Sequence, residues 1–122
     1  MPLRFVLDEH LRGPLWKAIR QHNTASAYPI DAVRVGDPPD LPRGTQDPDL
    51  LIWAEREGRL IVTDDRRTMA LFLAQHLQAG RHSPGVLFIP PGYSFAQIVF
   101  DLALIAHAGD PLTYQDNVRF IP

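Results

Sequence analysis

Short apolar runs alternate with helix-like stretches along the chain, and this alternation limits the fold more than any other feature. The runs are rich in Leu, Ile, Val and Phe, and the stretches between them carry apolar residues at helical spacing. We predict strands at residues 3–7, 30–35, 60–63, 85–89 and 117–121, and helices at 11–21, 50–57, 69–78 and 95–108. Such an order of strand and helix implies a mostly parallel sheet with helices on both faces.

The predicted fold class is therefore α/β, with three layers (α/β/α) and a mostly parallel sheet of about five strands. A chain of 122 residues suits a single domain over residues 1–122. The last strand is expected at an edge of the sheet. Residues 36–46, which are rich in Gly and Pro, are predicted to form a loop longer than most connections, and long loops in compact domains are often functional.

Composition narrows the chemistry that the chain can perform. The chain has no cysteine, which excludes thiolate metal sites and cysteine nucleophiles, so a metal would need oxygen or imidazole ligands. Carboxylate ligands favour Mg²⁺ or Mn²⁺. The net charge of −2 means that contact with nucleic acid would be local.

No run approaches the roughly 18 apolar residues that span a bilayer, and no signal-peptide pattern appears, so we expect a cytoplasmic protein without membrane contact.

Acidic residues follow two of the predicted strands and begin the helix between them. They are Asp8, Glu9, Asp47, Asp49, Asp64 and Asp65. The carboxyl ends of parallel strands lie at one edge of a sheet, where ligands of open α/β folds bind, and right-handed crossovers allow the first and third strands to be neighbours. We therefore expect three segments to bring acids to one edge, where three carboxylates would suit one or two hard divalent cations.

Each of these acids also has a structural interpretation. Asp8 and Glu9 would cap the first helix, and Thr45, Asp47 or Asp49 would cap the middle one. Asp64 or Asp65 would cap the helix that follows or pair with the two arginines after them. Thr63 either orients Asp65 through its hydroxyl, binds a water, or simply ends a strand. His10 lies beside the acids but is more often a solvated residue at a helix start.

A carboxylate cluster suggests chemistry on a phosphodiester only if a cation is present. The phosphodiester is an anion and is repelled by carboxylates unless bound Mg²⁺ reverses the local charge. Arg66 and Arg67 follow the acids of the third strand, where their guanidinium groups would hold flanking phosphates.

Three segments together resemble a known family. They are LDEHL at residues 7–11, DPDLLIWA at 47–54 and GRLIVTDD at 58–65. In this order and spacing they are similar to the PIN-like proteins of the DUF5615 (Mut7-C-related) group, over nearly the whole chain. The resemblance implies a PIN-like α/β/α domain that cleaves RNA with Mg²⁺ or Mn²⁺. It also implies that the protein forms a homodimer, and a role as the toxin of a toxin–antitoxin pair would add an antitoxin protein as a partner.

Roles carry over from the family by position. Asp8, Asp47 and Asp65 match the catalytic, metal-binding acids, and Asp49 is a secondary metal ligand. Thr63, Glu9, Arg66 and Arg67 are placed with the substrate. One position departs from the family, because Arg67 stands where a further aspartate is often found.

Two other functions remain open at this stage. A degenerate PIN-like module that docks a protein partner without catalysis would account for Arg67 and for the negative net charge. A receiver-like phosphoacceptor domain would share the acids after the first and third strands. Receivers need a lysine at the end of the last strand, whereas the single lysine here, Lys17, lies in the first helix.

Overall fold

A computed structural model describes residues 2–11 and 13–121 and confirms the alternation of strands and helices. In chain order the elements are β1 (Arg4–Leu7), a 3-10 turn (Glu9–Leu11), α1 (Pro14–Ala25), β2 (Asp31–Arg34), α2 (Asp47–Glu57), β3 (Leu60–Thr63), α3 (Arg66–Gln78), β4 (Val86–Phe88), α4 (Phe95–Ala108), α5 (Pro111–Tyr114) and β5 (Val118–Phe120). None of the helices in these two ranges combines the length and apolar character needed to span a bilayer.

The strands form one parallel sheet in the order β2-β1-β3-β4-β5. β1 pairs with β2 on one side and with β3 on the other, so the predicted contact between the first and third strands is confirmed. β4 follows β3, and β5 lies at the edge as expected. All four strand pairs are parallel, so every carboxyl end lies at the same edge, which we call the carboxyl edge.

The sheet buries apolar side chains on both faces. Within β1, Phe5 and Leu7 belong to the core beneath α1 and α4, whereas Val6 belongs to the core beneath α2 and α3. This division follows from the period of two in a strand, since successive side chains point to opposite faces. The three-layer α/β/α fold is therefore confirmed. The inner strands β1, β3 and β4 are nearly continuous apolar runs because both of their faces are covered, whereas the edge strands β2 and β5 are partly exposed.

Several helix boundaries differ from the prediction, with local causes. α1 begins at Pro14 and not at residue 11, because residues 9–11 form a 3-10 turn in which the Leu11 amide donates to the Asp8 carbonyl over 2.9 Å. α3 begins at Arg66 and not at residue 69, because Asp65 caps it: one carboxylate oxygen accepts from the Thr68 amide over 3.2 Å.

Two further expectations about helices were wrong or incomplete. The residue that precedes α2 is Gln46, with no side-chain cap, and the Thr45 hydroxyl instead donates to the Pro42 carbonyl over 2.6 Å. The short helix α5 was missed, because its four residues are too few for a helical period to appear. The side chain of Asp110 caps it by accepting from the Leu112 amide over 3.0 Å.

Substitution of Gly85, directly before β4, tests how tightly this residue packs against Tyr114. Its φ is +133°, and a Cβ built there would lie 2.6 Å from the Tyr114 carbonyl oxygen. Gly85→Ala should lower the free energy of unfolding by about 2 kcal/mol or more, because backbone strain and a backbone clash add together. Urea unfolding followed by circular dichroism measures the change.

Gly80→Ala is the matched control for this substitution. Gly80 also has a positive φ, +83°, but its added Cβ would meet no atom within 4 Å. The control should therefore cost only about 1 kcal/mol, from the left-handed backbone alone. Equal losses in the two variants would show that Gly85 does not pack tightly against Tyr114.

Candidate functional site: a carboxylate cluster at the carboxyl edge

The acids of the predicted site lie at the carboxyl edge, near the point where successive crossovers run to opposite sides of β1. The chain passes from β1 to β2 on one side, and the next crossover returns past β1 to β3 on the other. Open α/β sheets bind ligands at such a switch point, outside the carboxyl ends of the strands. Asp8 directly follows β1, and Asp65 lies two residues beyond β3. Both therefore flank the crevice between the two central strands.

The Thr63 hydroxyl connects these two acids. Thr63 is fully buried at the end of β3, and its Oγ1 donates to Oδ2 of Asp8 over 2.8 Å. The same oxygen accepts from the backbone amide of Asp65 over 3.1 Å. A hydroxyl has one proton to donate, and its lone pairs accept, so both bonds form at once. Thr63 thus fixes the Asp8 side chain and the backbone at Asp65, in line with its predicted role in orienting Asp65; direct contact with a substrate stays a prediction.

Asp47 joins the cluster from the first turn of α2. Partial burial, followed by the negative charges of Asp8 and Asp65, raises the pKa of the Asp47 carboxyl above its ordinary value of 3.8, while His10 opposes the shift. Asp8, Asp65 and His10 therefore lie close enough to Asp47 for their charges to act on it. A cation at this edge would offset the part of the shift that comes from the like charges, and joint metal binding by the three acids stays a prediction.

Glu9 contacts the long loop and not the other acids. Its Oε1 accepts from the backbone amide of Gly44 over 2.6 Å. The loop at 36–46 is otherwise held by the buried side chain of Leu41 and by an ion pair between Asp40 and Arg56 on α2. These contacts tie the loop to the segment after β1 and to α2.

The remaining predicted site residues lie around this cluster. Asp49 is exposed in the first turn of α2, and Asp64 is exposed between β3 and α3. The guanidinium of Arg66 stacks over the Phe120 ring of β5, with Cζ 5.3 Å from the ring centroid. Arg67 is exposed in the first turn of α3. Both arginines remain accessible to an anion, and their contact with substrate stays a prediction.

The residues described do not form a closed metal site. Within residues 2–11 and 13–121, no group of three or more His, Asp or Glu side chains is arranged to hold a metal ion. The donors at the carboxyl edge are carboxylates on exposed or partly buried side chains. Metal binding by Asp8, Asp47 and Asp65 therefore stays a prediction.

Sequence reasoning missed a second polar cluster, at the opposite edge of the sheet. His76 of α3 is buried, and its Nε2 lies 3.1 Å from a carboxylate oxygen of Glu55 and 2.8 Å from the His82 carbonyl. The Nδ1 of His82 lies 2.9 Å from Asp116, whose carboxylate raises the pKa of that imidazole. These contacts join α2, α3 and the segments before β4 and β5, so we interpret the cluster as structural. The spacing of these His, Asp and Glu residues along the chain does not indicate that they lie together.

Replacement of Thr63 tests the hydrogen bonds that join Asp8 and Asp65. Thr63→Val keeps the shape of the buried side chain but removes the hydroxyl, which leaves the Asp8 oxygen and the Asp65 amide unpaired. We expect a loss of about 1–3 kcal/mol in the free energy of unfolding. Thr63→Ser retains the hydroxyl and should lose only the burial of one methyl, about 1 kcal/mol. A valine variant at least as stable as the serine variant in urea unfolding would contradict this role.

The raised pKa of Asp47 predicts that its ionised carboxylate lowers the free energy of unfolding, and that the loss depends on pH. A carboxyl with a higher pKa in the folded chain binds protons more tightly when folded, so stability falls as pH rises through a window that begins at 3.8. Asp47→Asn should therefore raise the free energy of unfolding at pH 7, and the gain should vanish well below 3.8, where both states are protonated.

Asp49→Asn is the matched control, because it removes a carboxylate from the same first turn of α2 and shares the interaction with the helix dipole. The quantity to measure is the difference between the two variants in urea unfolding at several pH values. No difference at pH 7, or one that persists at low pH, would contradict the electrostatic origin of the cost.

Comparisons with known proteins were made for the whole chain. No protein-family model, curated protein or solved structure matches it. Function is therefore inferred from the carboxylates at the carboxyl edge and from the elements that position them.

Proposed function

We propose that the chain is a PIN-like ribonuclease that uses Mg²⁺ or Mn²⁺ to hydrolyse RNA phosphodiesters in the cytoplasm. The observation that supports the proposal is that Asp8, Asp47 and Asp65 lie at the carboxyl edge of the sheet, where burial and then the charges of Asp8 and Asp65 raise the pKa of Asp47. An acid whose pKa is raised by burial and by neighbouring charges, at the ligand-binding edge of an α/β fold, is a candidate for a functional site. The resemblance to the DUF5615 group gives the same three residues.

The donor set suits a hard divalent cation. All three acids offer oxygen ligands, and the chain contains no cysteine that would favour a softer metal. Asp8, Asp47 and Asp65 would hold the ion, with Asp49 as a further ligand from the same turn of α2. When bound, such an ion polarises the phosphate and activates water for attack on phosphorus.

The chain's own residues would supply orientation and charge. Thr63 holds the Asp8 side chain and the Asp65 backbone, which sets the separation of two ligands before any ion arrives. Arg66 and Arg67, exposed at the start of α3, would bind phosphates that flank the cleaved bond through paired N–H donors. Positive side chains are needed beside the carboxylates, because the substrate is an anion that the carboxylates repel.

An apolar groove between α1 and α4 supports a second candidate function, that of a non-catalytic PIN-like module that docks a protein. The groove has a volume of about 780 Å³ and is lined by Ala18, Val99, Phe100 and Leu104 among others. Phe100 is 64% exposed and Leu104 is 52% exposed, and contiguous exposed apolar residues mark interaction sites. The same surface would serve a toxin, either for contact with an antitoxin protein or for a homodimer.

A receiver-like phosphoacceptor domain is the third candidate, because the strand order β2-β1-β3-β4-β5 is that of flavodoxin-like domains, which include receivers. Lys17, however, lies in α1, whereas a receiver needs its lysine at the end of the last strand. Incubation with acetyl phosphate should therefore leave the chain unmodified, and an acyl phosphate detected by mass spectrometry would revive this alternative.

The nuclease proposal is tested by cleavage of single-stranded RNA with Mn²⁺ or Mg²⁺. The wild type should cleave only with the cation, and Asp65→Asn should lose about a hundredfold or more of the rate, because a metal's electrostatic stabilisation is worth several kcal/mol. Asp40→Asn removes an acid from the 36–46 loop that is paired with Arg56, so it is the control and should retain activity.

Calorimetric titration with Mn²⁺ distinguishes the first two candidates. A nuclease of this kind should bind the ion at millimolar concentration or below, and Asp65→Asn should weaken that binding. A wild type that binds no divalent ion at millimolar levels would refute the nuclease and favour the docking module.

A further inference from the structure

We infer that Glu9 is a positioning residue, which fixes the long loop through the Gly44 amide and thereby sets the distance of Asp47 from Asp8. The inference rests on the proposed function, because it assigns Glu9 a role in preparing the metal site. It gives adjacent acids different tasks: Asp8 enters the carboxylate cluster, and Glu9 holds the segment that delivers the third acid.

The contact between Glu9 and Gly44 joins two segments that are distant in sequence. The Glu9 carboxylate accepts from the Gly44 amide over 2.6 Å, across 35 positions of the chain. Hydrogen bonds to a charged acceptor are shorter and stronger than neutral ones. Gly44 has a φ of +86°, a left-handed conformation that glycine adopts without strain. The loop can therefore present this amide to Glu9 at little conformational cost.

The position of Gly44 is transmitted to Asp47 through a compact turn. The Thr45 amide and hydroxyl both bond to the Pro42 carbonyl, over 3.2 and 2.6 Å, and the Gln46 side chain donates to the Gly44 carbonyl over 3.1 Å. Asp47 follows as the first residue of α2, whose N-terminus has no side-chain cap. The Leu50 amide bonds to the Gln46 carbonyl over 2.9 Å and Leu50 is buried, so packing holds the first turn of α2. We infer that the turn before it, through its bond to Glu9, adjusts where that first turn places Asp47.

The other end of the loop is held by contacts remote from the site. Leu41 is buried in the core beneath α2 and α3, and Asp40 pairs with Arg56 in the last turn of that helix. These contacts hold the loop against α2 up to Leu41, directly before the turn that leads into Asp47. Among the described residues, the bond from the Gly44 amide to Glu9 joins this turn to the segment after β1, and so to Asp8.

The test compares Glu9→Ala with Glu9→Gln. Glutamine lacks the charge but keeps an oxygen that can accept from the Gly44 amide, so it should preserve the contact, whereas alanine removes it. In metal-free protein, Glu9→Ala should speed hydrogen exchange at the Gly44 amide by about tenfold or more and shift the Asp47 amide resonance. Glu9→Gln should leave both close to wild type.

Metal affinity provides the second readout. The Mn²⁺ dissociation constant, measured by electron paramagnetic resonance of the free ion, should rise by roughly 10- to 100-fold in Glu9→Ala, as for other residues that orient ligands. Glu9→Gln should change it by much less. Asp40→Asn, which weakens the remote anchor of the same loop, is the matched control and should leave the affinity unchanged.

The outcomes separate this inference from the proposed function. Unchanged exchange at Gly44 in Glu9→Ala would overturn the positioning role whether or not metal binds. Equal loss of Mn²⁺ affinity in the glutamine and alanine variants would also overturn it, because the carboxylate charge and not the contact would then matter. Failure of the wild type to bind Mn²⁺ would refute the metal site, whereas faster exchange at Gly44 with a shifted Asp47 resonance would still support the positioning of Asp47 by Glu9.

Discussion

The hydroxyl of Thr63 is the interaction on which the geometry of the candidate site depends. It lies fully buried between the two central strands, and its bonds to the Asp8 side chain and the Asp65 amide join the ends of β1 and β3. A charged carboxylate at the end of a buried strand needs a hydrogen-bond donor, and here the neighbouring strand provides it. The contact that satisfies Asp8 therefore also places the backbone of Asp65.

The carboxylates at the carboxyl edge lower the stability of the fold. Burial and like charges raise the pKa of Asp47, so in neutral solution the folded chain keeps acids together at a cost in free energy. Proteins often accept such a cost at functional sites, where local rules of stability are broken. The bond of Thr63 to Asp8, the cap that Asp65 forms on α3 and the buried first turn of α2 hold the three acids at this edge.

The fold and the edge of the sheet at which the acids lie could be predicted from the sequence, but the contacts of individual side chains could not. Strands such as β3 are apolar throughout because both of their faces are covered, so their composition is sufficient to locate them. The parallel arrangement then places Asp8 and Asp65 at one edge. The contact of Glu9 with Gly44 and the burial of His76 depend on segments far apart in the chain, and no local period encodes them. The cap of α2 was wrong for a similar reason, because the Thr45 hydroxyl finds a partner in its own loop.

A Mn²⁺ titration followed by nuclear magnetic resonance tests most directly whether Asp8, Asp47 and Asp65 form one cation site. Substoichiometric Mn²⁺ broadens the signals of nuclei near the ion. The amide signals of these three residues should therefore disappear first, and excess Mg²⁺ should restore them. Broadening centred on Glu55, His76 and Asp116 at the opposite edge, or spread evenly over exposed acids, would contradict the assignment of the metal site to the carboxyl edge.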